Sequence, residues 1–319
     1  MKEASPEIHV GDPLVVLTGP TAVGKTELSI ALAKAIHGEI ISADSIQIYK
    51  YMDIGSAKIR PEEMDGVPHH LIDVLDPSEE FNIVRFQSMA KEAIRGIRGR
   101  GHIPIVVGGT GFYIQGLLYD IDFTDNGGDT SYRSSLEGME EDVLFRMLRE
   151  VDPVSAKVIH PHNKKRVVRA LEFYHQTGER ISDHNAQQRQ KKSPWNFEYF
   201  VLNRPRAELY TRINTRVQNM FDAGLTDEVK HLKDMGYTRD LVSMQGLGYK
   251  ELLAALDGEM TLEEAQEVIA TNTRHFAKRQ LTWFGREKEV TMVPMETFSY
   301  DQNRILAFLV GRLREKQIL

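Results

Sequence analysis

One stretch of the chain has residue types and spacing specific enough to predict chemistry without further context. It matches the P-loop pattern, in which two glycines five positions apart are followed by lysine and threonine. Its members are Gly19, Pro20, Thr21, Ala22, Val23, Gly24, Lys25 and Thr26. In such a loop the backbone N–H groups close on a phosphate chain, the lysine reaches the terminal phosphates, and the threonine hydroxyl binds Mg²⁺. The pattern therefore predicts a phosphate site, either a nucleotide site for ATP or a site for another diphosphate.

Polar side chains elsewhere could complete such a site. Asp44 directly follows an apolar run, and three roles are open to it: ligand of Mg²⁺, general base, or N-cap of a following helix. Gln47, three residues later, is expected to share a small substrate-facing turn with Asp44. Arg212 and Arg216 lie four residues apart and face one side of a predicted helix, where they could clamp a diphosphate through bidentate hydrogen bonds. A solvated helix face is the alternative for these arginines.

The elements that must position these residues follow from the hydrophobic pattern. Short apolar runs predict strands over residues 14–18, 39–43 and 103–107. A helical stripe over residues 83–97 lies between the second and third of these runs. Such alternation is typical of a parallel sheet with helices on both faces, and ligands bind beyond the carboxyl ends of its strands. We therefore expect the P-loop, the segment from Asp44, and Gly108–Thr110 to meet at one edge of an α/β fold.

A change in composition divides the chain. Residues 122–130 are rich in Asp, Gly, Asn and Thr, which is typical of a linker, and the following residues to about 190 show only helical patterns. We expect a catalytic core with a P-loop NTPase-like parallel sheet flanked by helices, made of residues 1–125 and 195–319. A mainly helical insertion domain would occupy residues 126–194. After it, a strand is predicted over 196–202 and helices over 206–223, 226–235 and 261–284.

Composition limits the class of protein. The 319 residues include no cysteine, which excludes disulfides and thiolate zinc sites, and no apolar run is long enough to span a bilayer, so a cytoplasmic protein without membrane contact is expected. The net charge of −6 argues against nucleic-acid binding over the whole surface. Basic residues nevertheless cluster at 164–169, 189–192, 204–216 and 274–286. Each cluster alone could be a solvated face, but four of them in an acidic protein favour an anionic channel.

Taken together and in order, the motifs closely resemble those of the tRNA dimethylallyltransferases, also called tRNA isopentenyltransferases or the IPP transferase family. The resemblance extends from Leu14 to about Arg286. It is carried by Gly19–Thr26, Asp44–Tyr49, Gly55–Lys58, Pro68–Leu71, Val107–Tyr113, Lys165–Arg169, Gly246–Lys250 and Lys278–Trp283. Two positions depart from the pattern: Gln245 stands where some relatives carry arginine, and Ser56 replaces a threonine.

The resemblance implies transfer of a dimethylallyl group from dimethylallyl diphosphate to N6 of the adenosine 3′-adjacent to the anticodon in tRNAs. It implies that Asp44 is the general base, that Lys25 and Arg212 act on the leaving diphosphate, and that Thr26 binds Mg²⁺. The partners it implies are the anticodon stem-loop of tRNA and dimethylallyl diphosphate, and we expect a monomer. The tRNA contacts it implies are Asp44, Ser45, Ile46, Gln47, Thr110, Arg133, Lys165, Arg166, Val167, Val168, Arg169, Gln245, Gly248, Tyr249, Lys278 and Arg279.

Three other functions share some of these features. An adenylate isopentenyltransferase, which prenylates free AMP, ADP or ATP, has the same P-loop and base but needs no RNA-binding insertion. A P-loop kinase for a small metabolite would transfer phosphate from ATP, and a non-catalytic RNA-binding NTPase would need no general base. The helical segment 131–190 and the basic segment 274–286 favour the function on tRNA.

Overall fold

The structure, a computed structural model, describes residues 7, 9–123, 130–188 and 190–319. The chain forms two compact units. The larger unit contains the described residues up to Leu118 together with Pro194–Leu319, and the smaller unit contains the described residues of Tyr119–Ser193.

A parallel sheet of six strands forms the centre of the larger unit. Its strands are β1 (Asp12–Thr18), β2 (Gly38–Ala43), β3 (His69–His70), β4 (Ile103–Gly108), β5 (Trp195–Asn203) and β6 (Val290–Pro294). The spatial order is β3-β2-β4-β1-β5-β6, and every neighbouring pair is parallel. The carboxyl ends of all strands therefore lie along one edge, where the loops after them can converge on a ligand.

The helices of the chain are α1 (Lys25–Ile36), α2 (Ile83–Gly99), α3 (Gly111–Leu118), α4 (Thr130–Glu137), α5 (Glu141–Val151), α6 (Pro153–Val158), α7 (Lys164–Thr177), α8 (Ile181–Gln188), α9 (Arg206–Asp222), α10 (Leu225–Asp234), α11 (Tyr249–Leu256), α12 (Leu262–Phe284) and α13 (Gln302–Glu315). Helices α4 to α8 belong to the smaller unit. In the described part of the chain, no helix is long and apolar enough to cross a bilayer.

The strands predicted from apolar runs are confirmed, each lengthened by one or two residues. The helices predicted over 83–97, 206–223, 226–235 and 261–284 are confirmed as α2, α9, α10 and α12. A capping box begins α12: the Thr261 side chain accepts a hydrogen bond from the N–H of Glu264, and the Glu264 carboxylate accepts one from the N–H of Thr261. The strands β3 and β6 and the helices α11 and α13 were not predicted.

The core of the larger unit packs helices onto the sheet. Buried side chains of β1 and β5, such as Leu17 and Phe200, join Leu32 of α1, Ile213 of α9 and Leu309 of α13 in one hydrophobic cluster. Each of these side chains is fully buried. Burying an apolar side chain of this size contributes about 1.5–3 kcal/mol to the stability of the fold. This packing therefore holds α1 and α9 against the strands, whose following loops lie at the carboxyl edge of the sheet.

A buried carboxylate lies near the amino-terminal ends of the strands, opposite the carboxyl edge of the sheet. Glu39 of β2 is only 1% exposed, and its carboxylate accepts two hydrogen bonds from Arg100 at 2.8 and 2.6 Å. Ring nitrogens of His70 and His102 each lie 2.7 Å from its oxygens. Because a buried charge is stable only when it is well paired, these partners account for a glutamate inside a strand.

The point where the chain leaves and re-enters the larger unit is closed by a hydrogen bond. The indole N–H of Trp195 donates to the carbonyl oxygen of Leu117 at 3.1 Å. From Trp195 onward β5 pairs at once with β1, beginning opposite Asp12. The two ends of the inserted segment are thus tied to each other and to the sheet.

The smaller unit has a hydrophobic core of its own. Buried residues of α4, α5 and α7 form this core: Leu136, Leu144, Phe145, Leu148, Val167, Val168, Ala170 and Leu171. Asp152 accepts hydrogen bonds from the backbone N–H and the hydroxyl of both Ser155 and Ser182, and so joins the starts of α6 and α8.

Candidate active site

A cavity of about 750 Å³ lies at the carboxyl edge of the sheet. Loops that follow β1, β2 and β4 line it, together with side chains from α9 and α12. Residues that line it include Thr21, Ala22, Gly24, Lys25, Thr26, Asp44, Gln47, Gly109, Arg212, Arg216 and Gln280. The expectation that the P-loop, the Asp44 segment and the loop after β4 meet at one edge is therefore confirmed.

The P-loop ends at the N-terminus of α1, which begins at Lys25. The Nζ of Lys25 donates to the carbonyl oxygens of Gly19 at 3.0 Å and of Pro20 at 2.9 Å. Desolvation in the cleft, and next the positive charge of Arg216, lower the pKa of Lys25 to about 7, although the carboxylate of Asp44 acts in the opposite direction. Free backbone N–H groups at a helix N-terminus and a cationic lysine together favour an anion at this position.

Two arginines of α9 face the P-loop. The Nε of Arg212 donates to the carbonyl oxygen of Ala22 at 2.8 Å, and a guanidinium nitrogen of Arg216 donates to the hydroxyl of Thr21 at 3.3 Å. Burial lowers the pKa of the Arg216 guanidinium, while the charge of Asp44 raises it. Both side chains are thus hydrogen-bonded to the phosphate loop, with Arg216 half-buried and Arg212 exposed. Their role as a clamp on a diphosphate stays a prediction.

Asp44 organises the turn after β2. Its Oδ1 accepts hydrogen bonds from the N–H of Ile46 at 2.9 Å and of Gln47 at 3.3 Å, so the carboxylate caps a turn and not a helix. The Gln47 side chain is also held: its Oε1 accepts from the Ser42 hydroxyl at 3.2 Å, and its Nε2 donates to the carbonyl oxygen of Ser56 at 3.2 Å. Asp44 and Gln47 thus line the cavity in fixed orientations.

Gln280 of α12 connects two of the converging loops and was not recognised from the sequence. Its Oε1 accepts a hydrogen bond from the N–H of Thr21 at 2.9 Å, and its Nε2 donates to the carbonyl oxygen of Gly109 at 2.9 Å. Next to Gly109, the N–H of Thr110 donates to the carbonyl oxygen of Ala43 at 3.2 Å. The sequence gives no signal for this role, because the partners of Gln280 are 171 and 259 residues away.

The exposed side of α12 carries cations and aromatic rings. Lys278 and Arg279 are exposed. They line a shallow depression of about 390 Å³ together with His275, Thr282, Trp283 and Arg286. The Arg279 guanidinium lies 5.7 Å from the centroid of the Phe276 ring. Cations interleaved with aromatic rings suit an RNA backbone with unstacked bases.

The other predicted tRNA contacts differ in exposure. Lys165, Arg166 and Arg169 of α7 and Arg133 of α4 are exposed on the smaller unit, and Gln245 is exposed on the larger one. Ser45 and Ile46 are half-buried members of the Asp44 turn. The side chains of Val167, Val168 and Tyr249 are buried, and Gly248 is buried beside Tyr249, so any effect of these four on an RNA surface comes through the residues they position.

Fold and cavity together define a class, that of an α/β protein with a P-loop whose phosphate site is shared with a carboxylate and two arginines. A sequence model of the IPP transferase family matches residues 47–287, and one of the isopentenyl transferases matches residues 13–74. A curated protein of Lachnoclostridium phytofermentans, named tRNA dimethylallyltransferase, is 56% identical over 311 residues, which cover 96% of this chain and 99% of that protein.

Two solved structures are similar. The tRNA isopentenylpyrophosphate transferase of Bacillus halodurans has a TM-score of 0.73 and 45% identity, and the match covers 96% of this chain and 98% of that one. A eukaryotic dimethylallyltransferase acting on tRNA has a TM-score of 0.80 and 32% identity, with 89% of this chain and 74% of that one covered. The chain therefore belongs to the IPP transferase family, and its enzymatic class is that of a transferase.

Proposed function

We propose that the chain transfers a dimethylallyl group from dimethylallyl diphosphate to N6 of the adenosine 3′-adjacent to the anticodon of a tRNA. The observation that carries this proposal is the shared cavity, which Asp44 and Gln47 line together with residues of the P-loop and the arginines of α9. In the reaction the bond between C1 of the prenyl group and the diphosphate oxygen breaks. The bond from C1 to N6 forms, and diphosphate leaves.

The leaving diphosphate is held by positive charge. Lys25, Arg212 and Arg216 all line the cavity beside the free N–H groups of α1. Charge develops on the diphosphate as the C–O bond breaks, and donors already fixed around it stabilise that charge without reorganisation. Gln280 keeps the loop in place through the N–H of Thr21. This explains why a P-loop serves a prenyl donor as well as it would serve ATP.

The acceptor amine requires a base, because its lone pair is delocalised into the adenine ring. Asp44 supplies a carboxylate whose Oδ1 is engaged by the turn, and it faces the cavity. It takes the proton from N6 as the new C–N bond forms. Gln47 and the neighbouring turn contact the adenine, which must leave its stack to reach a site this deep.

The residues at the P-loop fit Mg²⁺ shared with the substrate. Thr26 is exposed at the first turn of α1, and among the described residues no group of three histidines or carboxylates could hold a metal by itself. Mg²⁺ typically keeps several waters and binds through substrate phosphates with few protein ligands. When bound, the ion neutralises charge on the diphosphate, and the Thr26 hydroxyl is the ligand that the chain offers.

The tRNA would bind to exposed lysine and arginine side chains. In the larger unit these are Lys278 and Arg279 of α12, and in the smaller unit they are Lys165, Arg166 and Arg169 of α7. Each side chain would pair with backbone phosphates of the anticodon stem-loop, which gives affinity that falls as salt concentration rises. One chain supplies every residue named here, so we infer that a monomer is active.

The proposal is tested by mass spectrometry of an anticodon stem-loop RNA incubated with the protein, dimethylallyl diphosphate and Mg²⁺. We expect one dimethylallyl mass increment on the adenosine next to the anticodon, and none on a matched RNA with guanosine at that position. Prenylation of AMP without RNA, at a rate equal to that on the stem-loop RNA, would instead support an adenylate isopentenyltransferase. Phosphate transfer from ATP, without prenylation, would support a P-loop kinase.

A further inference from the structure

Glu228 of α10 binds three consecutive backbone N–H groups of a loop distant in sequence. Its Oε2 accepts hydrogen bonds from Asp53 at 2.9 Å and Ile54 at 2.7 Å, and its Oε1 accepts one from Gly55 at 3.1 Å. The hydroxyl of Tyr249 also donates to Oε1, at 2.8 Å. These four hydrogen bonds make the Glu228 carboxylate a strong anchor for the loop, because hydrogen bonds to a charged acceptor are roughly twice as strong as neutral ones.

Tyr249 completes this anchor from the start of α11. Its side chain is fully buried, and burial, followed by the charge of Glu228, raises its pKa well above the ordinary value, so the hydroxyl stays a donor. A Cβ atom on Gly55 would lie 2.8 Å from the Tyr249 hydroxyl oxygen and 2.6 Å from the ring, which explains why only glycine fits here. Loop and tyrosine are thus in direct contact.

The far end of the same loop is fixed by a buried cation. The side chain of Lys58 is 4% exposed, and its Nζ forms ion pairs with Asp53 and Asp73, both at 2.5 Å. The Nζ also donates to the carbonyl oxygen of Tyr49 at 2.7 Å. The loop of residues 53–58 is therefore held at its start by Glu228 and at its end by Lys58.

Between these two anchors the loop presents carbonyl oxygens to the active-site turn. The Nε2 of Gln47 donates to the carbonyl oxygens of Ser56 at 3.2 Å and Ala57 at 3.3 Å. Ser56 and Ala57 also line the cavity beside Asp44 and Gln47. A displacement of the loop would therefore change both the orientation of Gln47 and the wall that faces the acceptor base.

We propose that Glu228 and Tyr249 are positioning residues for the acceptor side of the reaction. They touch no reacting atom and act through loop 53–58 on Gln47. The P-loop is held by a separate set of contacts, from Gln280 and Arg216. We therefore expect binding of dimethylallyl diphosphate to be insensitive to changes at Glu228 and Tyr249. This inference rests on the proposed function, because it assigns the Gln47 side of the cavity to the adenine.

The test compares Glu228→Gln and Tyr249→Phe with a control variant, Asp227→Asn, which alters the exposed neighbouring residue of the same helix. Glu228→Gln leaves two of the four donors facing an amide NH₂ group, so we expect kcat/KM for stem-loop RNA to fall about tenfold. Tyr249→Phe removes only one donor, so a loss of about threefold is expected. The KM for dimethylallyl diphosphate should stay within about twofold in all variants, and Asp227→Asn should match the wild type.

A second measurement separates positioning from general stability. In amide NMR spectra we expect Glu228→Gln and Tyr249→Phe to shift the backbone resonances of residues 53–55 and the side-chain NH₂ of Gln47, with the P-loop resonances unchanged. Loss of affinity for both substrates together, or P-loop shifts as large as those of the loop, would overturn the inference. If Glu228→Gln does not fold, Tyr249→Phe decides by the same criteria.

A wild-type protein that does not prenylate the stem-loop RNA refutes the proposed function. A wild-type protein that does so, with unchanged RNA kinetics in both Glu228→Gln and Tyr249→Phe, refutes the positioning role alone.

Discussion

Binding of the prenyl donor should take up a proton at Lys25. In the free cleft, desolvation and the nearby Arg216 cation lower the pKa of this lysine to about 7. A bound diphosphate places several negative charges beside Nζ, which favours the ammonium form and raises the pKa again. Lys25 is therefore largely neutral in the free protein above pH 7 and protonated in the complex. The perturbation is pH, and Lys25→Arg is the control, because a guanidinium stays charged throughout.

The size of the effect follows from the pKa. With a free-state pKa of about 7, roughly nine-tenths of Lys25 is neutral at pH 8, so binding takes up about 0.9 proton. Because the lysine must be protonated to bind well, donor affinity is highest below pH 7 and falls as pH rises. Between pH 7 and pH 9 the dissociation constant should rise about 50-fold, or about 2.3 kcal/mol.

Isothermal titration calorimetry can measure this uptake. A non-reacting thio analogue of dimethylallyl diphosphate is titrated at pH 8, with excess Mg²⁺, in two buffers of different ionisation enthalpy. The difference in observed enthalpy gives the number of protons taken up. An uptake near zero in the wild type would refute the reasoning, because it would show that Lys25 is already charged in the free cleft. The same uptake in Lys25→Arg would also refute it, because the proton would then be taken up by another group.

Three further outcomes are expected. Asp44→Asn keeps the oxygen that caps the turn but removes the base, so kcat, measured by rapid quench, should fall about 100-fold or more. The dissociation constant of the donor, measured by calorimetry, should stay within about threefold of the wild-type value. Gly109→Ala places a Cβ 2.3 Å from the Gln280 amide nitrogen, so calorimetry should show donor affinity several-fold weaker, and unchanged affinity would contradict the role of that bridge. Burial alone would raise the pKa of Glu39, but hydrogen bonds from Arg100 and two histidines outweigh it and lower the pKa to about 2. Glu39 thus contributes about 3 kcal/mol to the free energy of unfolding above pH 4.5, and this contribution should be lost as pH falls from 4.5 to 2. In denaturant unfolding, the free energy of unfolding of Glu39→Gln should not show this fall with pH.

Four strands of the sheet were predictable from the sequence, whereas the strands β3 and β6 and the helices α11 and α13 were not. The strands β1, β2, β4 and β5 are continuous buried runs, whose pattern can be recognised locally. The strand β3 consists only of His69 and His70, and it exists because it can pair with β2 at the sheet edge. Its assignment depends on a tertiary neighbour and not on its own composition.

The candidate site divides in the same way. The P-loop and Asp44 carry their meaning in local spacing, and the structure places them on one cavity. Gln280 and Glu228 act through partners more than 170 residues away in the sequence, and each resembles an ordinary polar residue of an amphipathic helix. No periodicity marks such residues, because their role is set by which loop the fold brings against them.

The hydrogen bond between the Trp195 indole and the Leu117 carbonyl bears on how much change in length the inserted segment tolerates. It joins the departure and return points of the chain, and β5 pairs with β1 directly after it. Because each doubling of the length of a closed segment costs only about 0.6 kcal/mol, the number of residues between those points has little thermodynamic weight. The segment between Leu117 and Trp195 can therefore be lengthened or shortened at little cost to the stability of the sheet.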